Sequence, residues 1–245
     1  GMLKEEITIT GPDKDLHSGL YGGVAINPIR VLSKILGSLH NDSGKVTVPN
    51  FYDGVLDLPD DVDAQWQALN FDYGTFLNDV GLSVPAGEKE FSPLEMIWSR
   101  PTCEINGIQG GYTGEGFKTV LPSQASTKLS FRLVGDQDPA AIRKNLHAHV
   151  RDMLPSDCEV RFHAHEASAG SVMSTEAPAF EAAREALSEE WPDEAAFIGC
   201  GGSIPIAGHF QEIIGVTPIL IGFGKDDDQL HSPNEKYDLE SFHKG

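Results

Sequence analysis

Basic residues are scarce in this chain of 245 residues, which has 18 lysines and arginines against 37 aspartates and glutamates. The formal net charge is −19, and no cluster of lysine and arginine interrupts the acidic sequence. Binding to phosphate backbones or anionic lipids requires clustered cations, so the composition argues against nucleic acid and membrane partners. Hydrophobic residues make up 40% and charged residues 22%, as is typical of a globular chain.

Cysteine is also rare, and Cys103, Cys158 and Cys200 form no Cys-x-x-Cys spacing. An odd number without that spacing argues against a disulfide framework or a thiolate zinc site, and it favours a reducing, cytoplasmic compartment. No apolar run approaches the ~20 residues that cross a bilayer as a helix. The chain opens on an alternating segment and not on a signal peptide, so we expect it to begin inside folded structure.

The first two thirds of the chain show the patterns of strands and helices. Residues 5–10 alternate as in a strand, and residues 27–40 repeat apolar side chains at helical spacing. Asn27 and Pro28 suit the first positions of that helix. Over residues 3–166 the predicted order is strand, helix, an insert of loops and short helices, strand, strand, helix and strand. This order predicts a two-layer α+β domain, an antiparallel sheet with helices on one face.

The sequence pattern changes in the last third of the chain. Residues 167–174 are small and polar, as in a linker, and a helix and an apolar strand at 217–223 follow. The chain ends in what resembles the first turn of another helix. Because roughly 80 residues are few for an independent domain, and a parallel strand needs both faces covered, we predict that 167–245 is an incomplete α/β segment.

Several polar residues in these loops suit a site, and each also has a structural interpretation. His231 follows the predicted strand, where α/β sheets place their sites, so it is either a metal ligand or an exposed loop histidine. Gly202 and Ser203 form a turn that either holds a carboxylate or is a tight turn only. His17, in a glycine-rich loop, is either a donor to a developing oxyanion or a loop histidine bonded to backbone.

Three further positions lie on predicted strands. Arg132 alternates with core-facing residues and so points to the other face, where it binds a substrate carboxylate or forms a surface ion pair. His163 and His165 lie two apart and share a face. Such a pair binds zinc if further ligands join it, and otherwise belongs to a polar outer face.

Four stretches in this order carry a family resemblance: GPDKDLHSGLYGG (11–23), GGYTGEGFKTVLPSQASTKLSFRLV (110–134), GGSIP (201–205) and LHSPNEKY (230–237). They resemble the successive motifs of the zinc aminopeptidase/carboxypeptidase family of carnosinase, cytosolic nonspecific dipeptidase, aminoacylase and succinyl-diaminopimelate desuccinylase. The resemblance is greatest to the carnosinase and nonspecific dipeptidase branch. Members carry a two-zinc catalytic domain interrupted by a lid domain that also dimerises.

The resemblance implies a role for each part of this chain. Residues 3–166 would be the lid and dimerisation domain, and 167–245 the C-terminal portion of a catalytic domain whose N-terminal portion is absent. His231 would be a zinc ligand, and His17 the lid histidine that reaches the partner subunit's active site and polarises the scissile carbonyl. The substrate-binding positions that it implies are Thr119, Arg132, His165, Gly202 and Ser203.

Two functions are compatible with these observations. The first is part of a metallopeptidase-type hydrolase, a homodimer through its lid, that uses two zinc ions to cleave a small peptide or N-acyl amino acid with metal-activated water. The His-x-Asp and Glu-Glu motifs of the family have no counterpart in the expected context, so we expect this chain alone to be inactive and to bind little or no zinc. The alternative is a non-catalytic dimerisation or peptide-binding module.

Overall fold

A computed structural model describes residues 1–202, 204–230 and 232–245 of the chain. These residues divide into two compact units. The first unit comprises Gly1–Val172 and Gly199–Pro205, and the second comprises Met173–Ile198 and Ile206–Gly245.

The first unit is built around an antiparallel sheet. Its strands are β1 (Met2–Thr10), β2 (Leu16–His17), β3 (Thr102–Gly110), β4 (Val120–Leu121), β5 (Gln124–Arg132) and β6 (Glu159–Ser168). The long strands form one sheet in the order β3–β5–β1–β6, and β2 pairs with β4 in a separate short ribbon. Each pairing is antiparallel, which confirms the predicted α+β class.

The helices of the first unit are α1 (Ser18–Tyr21), α2 (Pro28–Gly37), α3 (Asp60–Ala68), α4 (Tyr73–Asn78), α5 (Pro93–Trp98) and α6 (Pro139–Asp152). These helices, except α3, begin after a residue whose side chain caps the first turn. The side chain of Asn27 accepts the N–H of Ile29 at 2.9 Å, and Asp138 accepts that of Ala140 at 2.8 Å. A proline follows each of these two caps, where its missing N–H is not needed.

The core lies between α2, α6 and one face of the sheet. Alternation along β1 buries Leu3, Ile7 and Ile9 completely, and the matching residues of β5 include Leu129 and Phe131. The helices cover these strands with the stripe that their helical period predicts: Val31, Leu32, Ile35 and Leu36 from α2, and Ile142, Leu146 and Val150 from α6. Arg132, between buried neighbours, is exposed on the opposite face, as predicted.

The second unit is helical in its described residues, with α7 (Pro178–Glu190), α8 (Pro205–Ile214), a 3-10 turn (Asp226–Asp228) and α9 (Leu239–Lys244). The sequence prediction of a strand at 217–223 is wrong, because that segment is irregular. A strand requires a neighbour that pairs with its N–H and C=O groups, and the described part of this unit contains no strand. The prediction also missed α8, where only a turn was expected.

Gly54, in the insert of loops and short helices, contacts the turn before α6. Substitution of this glycine tests how much the contact stabilises the first unit. Its φ is +82°, its carbonyl accepts the N–H of Asp136 at 2.7 Å, and an added Cβ would lie 2.6 Å from the Asp136 carbonyl. We expect Gly54→Ala to lower the free energy of unfolding by more than ~1 kcal/mol, as measured by urea denaturation. Gly23→Ala is the matched control, since Gly23 has φ +83° but an open surrounding. Equal losses in both variants would show that the close contact at Gly54 is unimportant.

Candidate functional site

The structure joins His17 to Thr119, two of the predicted site residues. In the ribbon, His17 pairs with Val120. The N–H of Ser18 donates to the carbonyl of Thr119 at 3.0 Å. Both His17 and Thr119 are exposed. Two residues far apart in sequence therefore present their side chains from one small, exposed element.

The imidazole of His17 is held by the helix that it caps. Its Nδ1 accepts the N–H of Gly19 at 3.0 Å. A ring nitrogen that accepts a hydrogen bond carries no proton, so the neutral ring has its proton on Nε2. A Cβ at position 19 would lie 2.9 Å from His17 Cε1, so a larger residue there would require the ring to shift. The ring therefore presents Nε2–H as a hydrogen-bond donor.

Two apolar residues near His17 and Thr119 in sequence are exposed. Leu20, three residues after His17, is 76% exposed, and Phe117, two residues before Thr119, is 102% exposed. Neither side chain contributes to the core of the unit. Exposed apolar side chains of this kind are typical of surfaces that contact a ligand or another protein.

Arg132 lies at the far end of the sheet from this ribbon. It ends β5, paired with Met2 and Thr102, whereas Gln124 begins β5 immediately after the ribbon. The strand has nine residues. At ~3.3 Å per residue, Gln124 and Arg132 are therefore roughly 26 Å apart. The pKa of the Gly1 amino group is lowered, first by burial and then by the Arg132 guanidinium.

His165 lies toward the same end as Arg132. The register pairs Met2 with Arg132 on one side and with Ser168 on the other, and His165 is three residues from Ser168 on β6. Its Nε2 is 3.9 Å from the Glu6 carboxylate, and its ring centroid is 4.7 Å from that of His163. Within the described ranges, no group of three or more histidine, cysteine, aspartate or glutamate residues is arranged to hold a metal ion.

The remaining predicted site residues are at or next to positions 203 and 231, which the structure does not describe. His231 and Ser203 fall outside the described residues, and Gly202 is exposed. The residues around position 231 form turns, with the N–H of Ser232 donating to the carbonyl of Gln229 at 2.9 Å. The roles predicted for these positions therefore stay predictions.

Asp15 is a residue near His17 that the sequence analysis missed. Its Oδ1 accepts the N–H of Ser123 at 2.9 Å, and the carbonyl of Ser123 accepts the N–H of Gly11 at 3.0 Å. Aspartate in a glycine-rich turn commonly accepts a backbone N–H, so the residue type was a signal. Its partner, more than one hundred positions away, was visible only after folding.

Helices able to span a membrane are absent from the part of the chain that the structure describes. The cysteines are free thiols, with Cys103 and Cys158 buried and Cys200 exposed. Burial raises the pKa of the Cys103 thiol to about 12, so this thiol is not a nucleophile near neutral pH.

Comparison with known proteins gives consistent matches. Residues 1–158 match the profile of the family described as Peptidase dimerisation domain. The chain is similar to the Cys-Gly metallodipeptidase DUG1 of Saccharomyces cerevisiae, with 31% identity over 239 residues, covering 96% of this chain and 49% of the relative. It is also 30% identical over 236 residues to the human Beta-Ala-His dipeptidase, covering 95% of this chain and 46% of the relative.

A solved structure agrees with these sequence matches. The M20 family metallo-carboxypeptidase Sso-CP2 from Sulfolobus solfataricus has a TM-score of 0.86 and 28% identity, and the match covers all of this chain and 55% of that one. The chain spans about half the length of the curated relatives that it matches.

Proposed function

The chain belongs to the M20 family of peptidase dimerisation domains, and from this premise we propose that it is part of a zinc-dependent dipeptidase or aminoacylase-type hydrolase. Residues 3–166 are proposed as the lid and dimerisation domain. Residues 167–245 are proposed as the C-terminal portion of the catalytic domain, with the N-terminal portion supplied by sequence outside this chain.

The surface of the second unit supports that division. Ile213, Leu239 and Phe242 are 76%, 74% and 66% exposed, respectively. The apolar segment at 217–223 has no strand partner among the described residues. Exposed apolar groups and an apolar segment outside any sheet suit a unit that packs against more of a catalytic domain.

The observation that carries the proposal is the orientation of His17. Hydrolysis of an amide passes through a tetrahedral intermediate whose oxygen becomes negative, and a donor aimed at that oxygen stabilises it. The Gly19 N–H on Nδ1 leaves Nε2–H as that donor, beside Thr119. His17 is thus suited to polarise a carbonyl and not to take up a proton from water.

The described residues do not fit a zinc centre by themselves. A catalytic zinc takes three protein ligands and an open position, and the described ranges contain no cluster that meets this need. We propose His231 as one ligand, with the others on the absent portion. In the complete enzyme two zinc ions would supply an activated water. This chain alone is therefore proposed to be inactive.

The separation of the candidate residues supports a site shared between two copies of the chain. A dipeptide spans about 7 Å when extended, whereas Gln124, two residues after the ribbon, and Arg132 are roughly 26 Å apart along β5. This separation favours a site in which His17 and Thr119 come from one copy and Arg132 and His165 from another. We accordingly propose a homodimer, formed through the lid, in which each site takes His17 from the partner subunit.

The proposed substrate is a small peptide or N-acyl amino acid with a free carboxylate. Arg132 is exposed on the open face of the sheet, where its guanidinium can bind a carboxylate through two hydrogen bonds. The names of the relatives, Cys-Gly and Beta-Ala-His dipeptidases, agree with substrates of this size. Three free thiols fit the reducing cytoplasm as the proposed compartment.

A second candidate is a non-catalytic dimerisation or peptide-binding module. The match of residues 1–158 to a family described as Peptidase dimerisation domain favours it. It differs from the first candidate because it needs no contribution from another part of a catalytic domain.

The two candidates are separated by supplying the absent portion. We expect dipeptide hydrolysis when this chain is co-expressed with the coding sequence that precedes it, in the presence of zinc, and none from either part alone. Release of the amino acid product is measured with and without a chelator. Inactivity of the assembled protein toward a panel of dipeptides and N-acyl amino acids would favour the non-catalytic module.

A further inference from the structure

We propose that Asp15 is a positioning residue. Its hydrogen bond to the backbone of Ser123 stabilises the ribbon and so keeps His17 in its catalytic position. This inference rests on the proposed function, in which His17 is the oxyanion donor. Asp15 itself is exposed and would touch neither the substrate nor the reacting atoms.

The ribbon that carries His17 has too few paired residues to be stable by itself. β2 and β4 share only two paired positions, and an isolated two-stranded ladder is marginal even at greater length. Without further bonds at its base, such a ladder would open and close readily. His17 would then be correctly placed for only part of the time.

Ser123 supplies the base of the ribbon, and both of its backbone groups are used. Its carbonyl accepts the N–H of Gly11, at the end of β1, and its N–H donates to Asp15 Oδ1. Ser123 lies two residues after β4, and Asp15 one residue before β2. The bonds to Gly11 and Asp15 thus connect the ribbon to the main sheet.

The carboxylate is suited to this task. A hydrogen bond from a backbone N–H to a charged acceptor is shorter and stronger than one to a neutral acceptor. A neutral amide oxygen at the same place keeps the geometry, whereas a methyl group removes the acceptor. Comparison of Asp15→Asn with Asp15→Ala therefore distinguishes the effect of the hydrogen bond from the effect of the negative charge.

The test compares Asp15→Ala, Asp15→Asn and Asp13→Ala in the complete enzyme with dipeptide substrate. Misplacement of a catalytic group by ~1 Å can cost ~10²-fold, so we expect Asp15→Ala to lower kcat by roughly 10- to 100-fold with little change in KM. Asp15→Asn should recover most of kcat. Asp13, an exposed aspartate two residues earlier, is the matched control, and its substitution should leave kcat unchanged.

A double-mutant cycle with His17→Ala shows whether Asp15 acts through His17. If it does, Asp15→Ala causes no further loss in the His17→Ala enzyme, because the group that it positions is gone. An equal fold-loss in both backgrounds would overturn the proposal, as would a wild-type kcat in Asp15→Ala.

Amide exchange in the chain itself tests the stabilisation of the ribbon by Asp15 separately from the proposed function. We expect Asp15→Ala to speed the exchange of the Ser18 N–H, which bonds to Thr119 across the ribbon, with little effect on the core amides of β5. Unchanged exchange at Ser18 would overturn the proposal. Inactivity of the wild-type complete enzyme, together with faster exchange in Asp15→Ala, would overturn the proposed function. It would still support the stabilisation of the ribbon by the hydrogen bond between Asp15 and Ser123.

Discussion

Replacement of His17 by alanine in the complete enzyme should lower kcat about 10²–10³-fold, the usual loss when one oxyanion donor is removed. KM should change little, because the donor is needed for charge that develops in the transition state. Steady-state kinetics on a dipeptide measure both constants. His40→Ala is the control, since His40 is another exposed histidine of the same unit, and its kcat should be that of the wild type.

A heterodimer shows whether His17 acts across the dimer. In the complete enzyme, one subunit carries His17→Ala and the other Arg132→Ala, and two affinity tags isolate the mixed dimer. One of its two sites then has both residues intact, so we expect about half of the wild-type activity from two chains that are inactive as homodimers. The control joins a wild-type chain to a chain with both substitutions, which leaves neither site intact. Activity in this control and none in the first heterodimer would place both residues of a site in one chain.

Replacement of Arg143 by alanine should destabilise the first unit by about 3 kcal/mol, because it leaves a buried carboxylate without its cation. Glu5 is a charged residue on the core face of β1, and its side chain is fully buried. Arg143 Nε donates to Glu5 at 2.9 Å, and Arg143 Nη2 donates to the carbonyl of His165 at 2.7 Å. His147 Nε2, 2.9 Å from the other carboxylate oxygen, remains as a partial substitute.

The measurement is urea unfolding of the full chain, followed by amide exchange in β1 and α6. Lys144→Ala is the matched control, since Lys144 is the next residue of the same helix and is exposed. We expect a loss below ~0.5 kcal/mol for that variant, as for other surface substitutions. Similar midpoints for Arg143→Ala and Lys144→Ala would show that Glu5 does not depend on Arg143.

The sequence by itself determined the elements whose signals are local. Alternation along β1 and β5 identified these strands, and Asn27-Pro28 marked the helix start that the structure shows. Such signals are readable because a strand or helix repeats its burial pattern every two or 3.6 residues. The ordered motifs also identified the family, which the comparisons confirm.

Only the tertiary structure decided which residues meet. The ladder that brings His17 to Thr119 and the bond between Asp15 and Ser123 join segments about one hundred positions apart, and no local pattern encodes that register. Glu5 is a second example. The alternation along β1 places its carboxylate in the core, but its partners lie on α6 and are identified only by the structure. The segment at 217–223 has a strand's composition but no strand, because pairing depends on a neighbour and not on the segment itself.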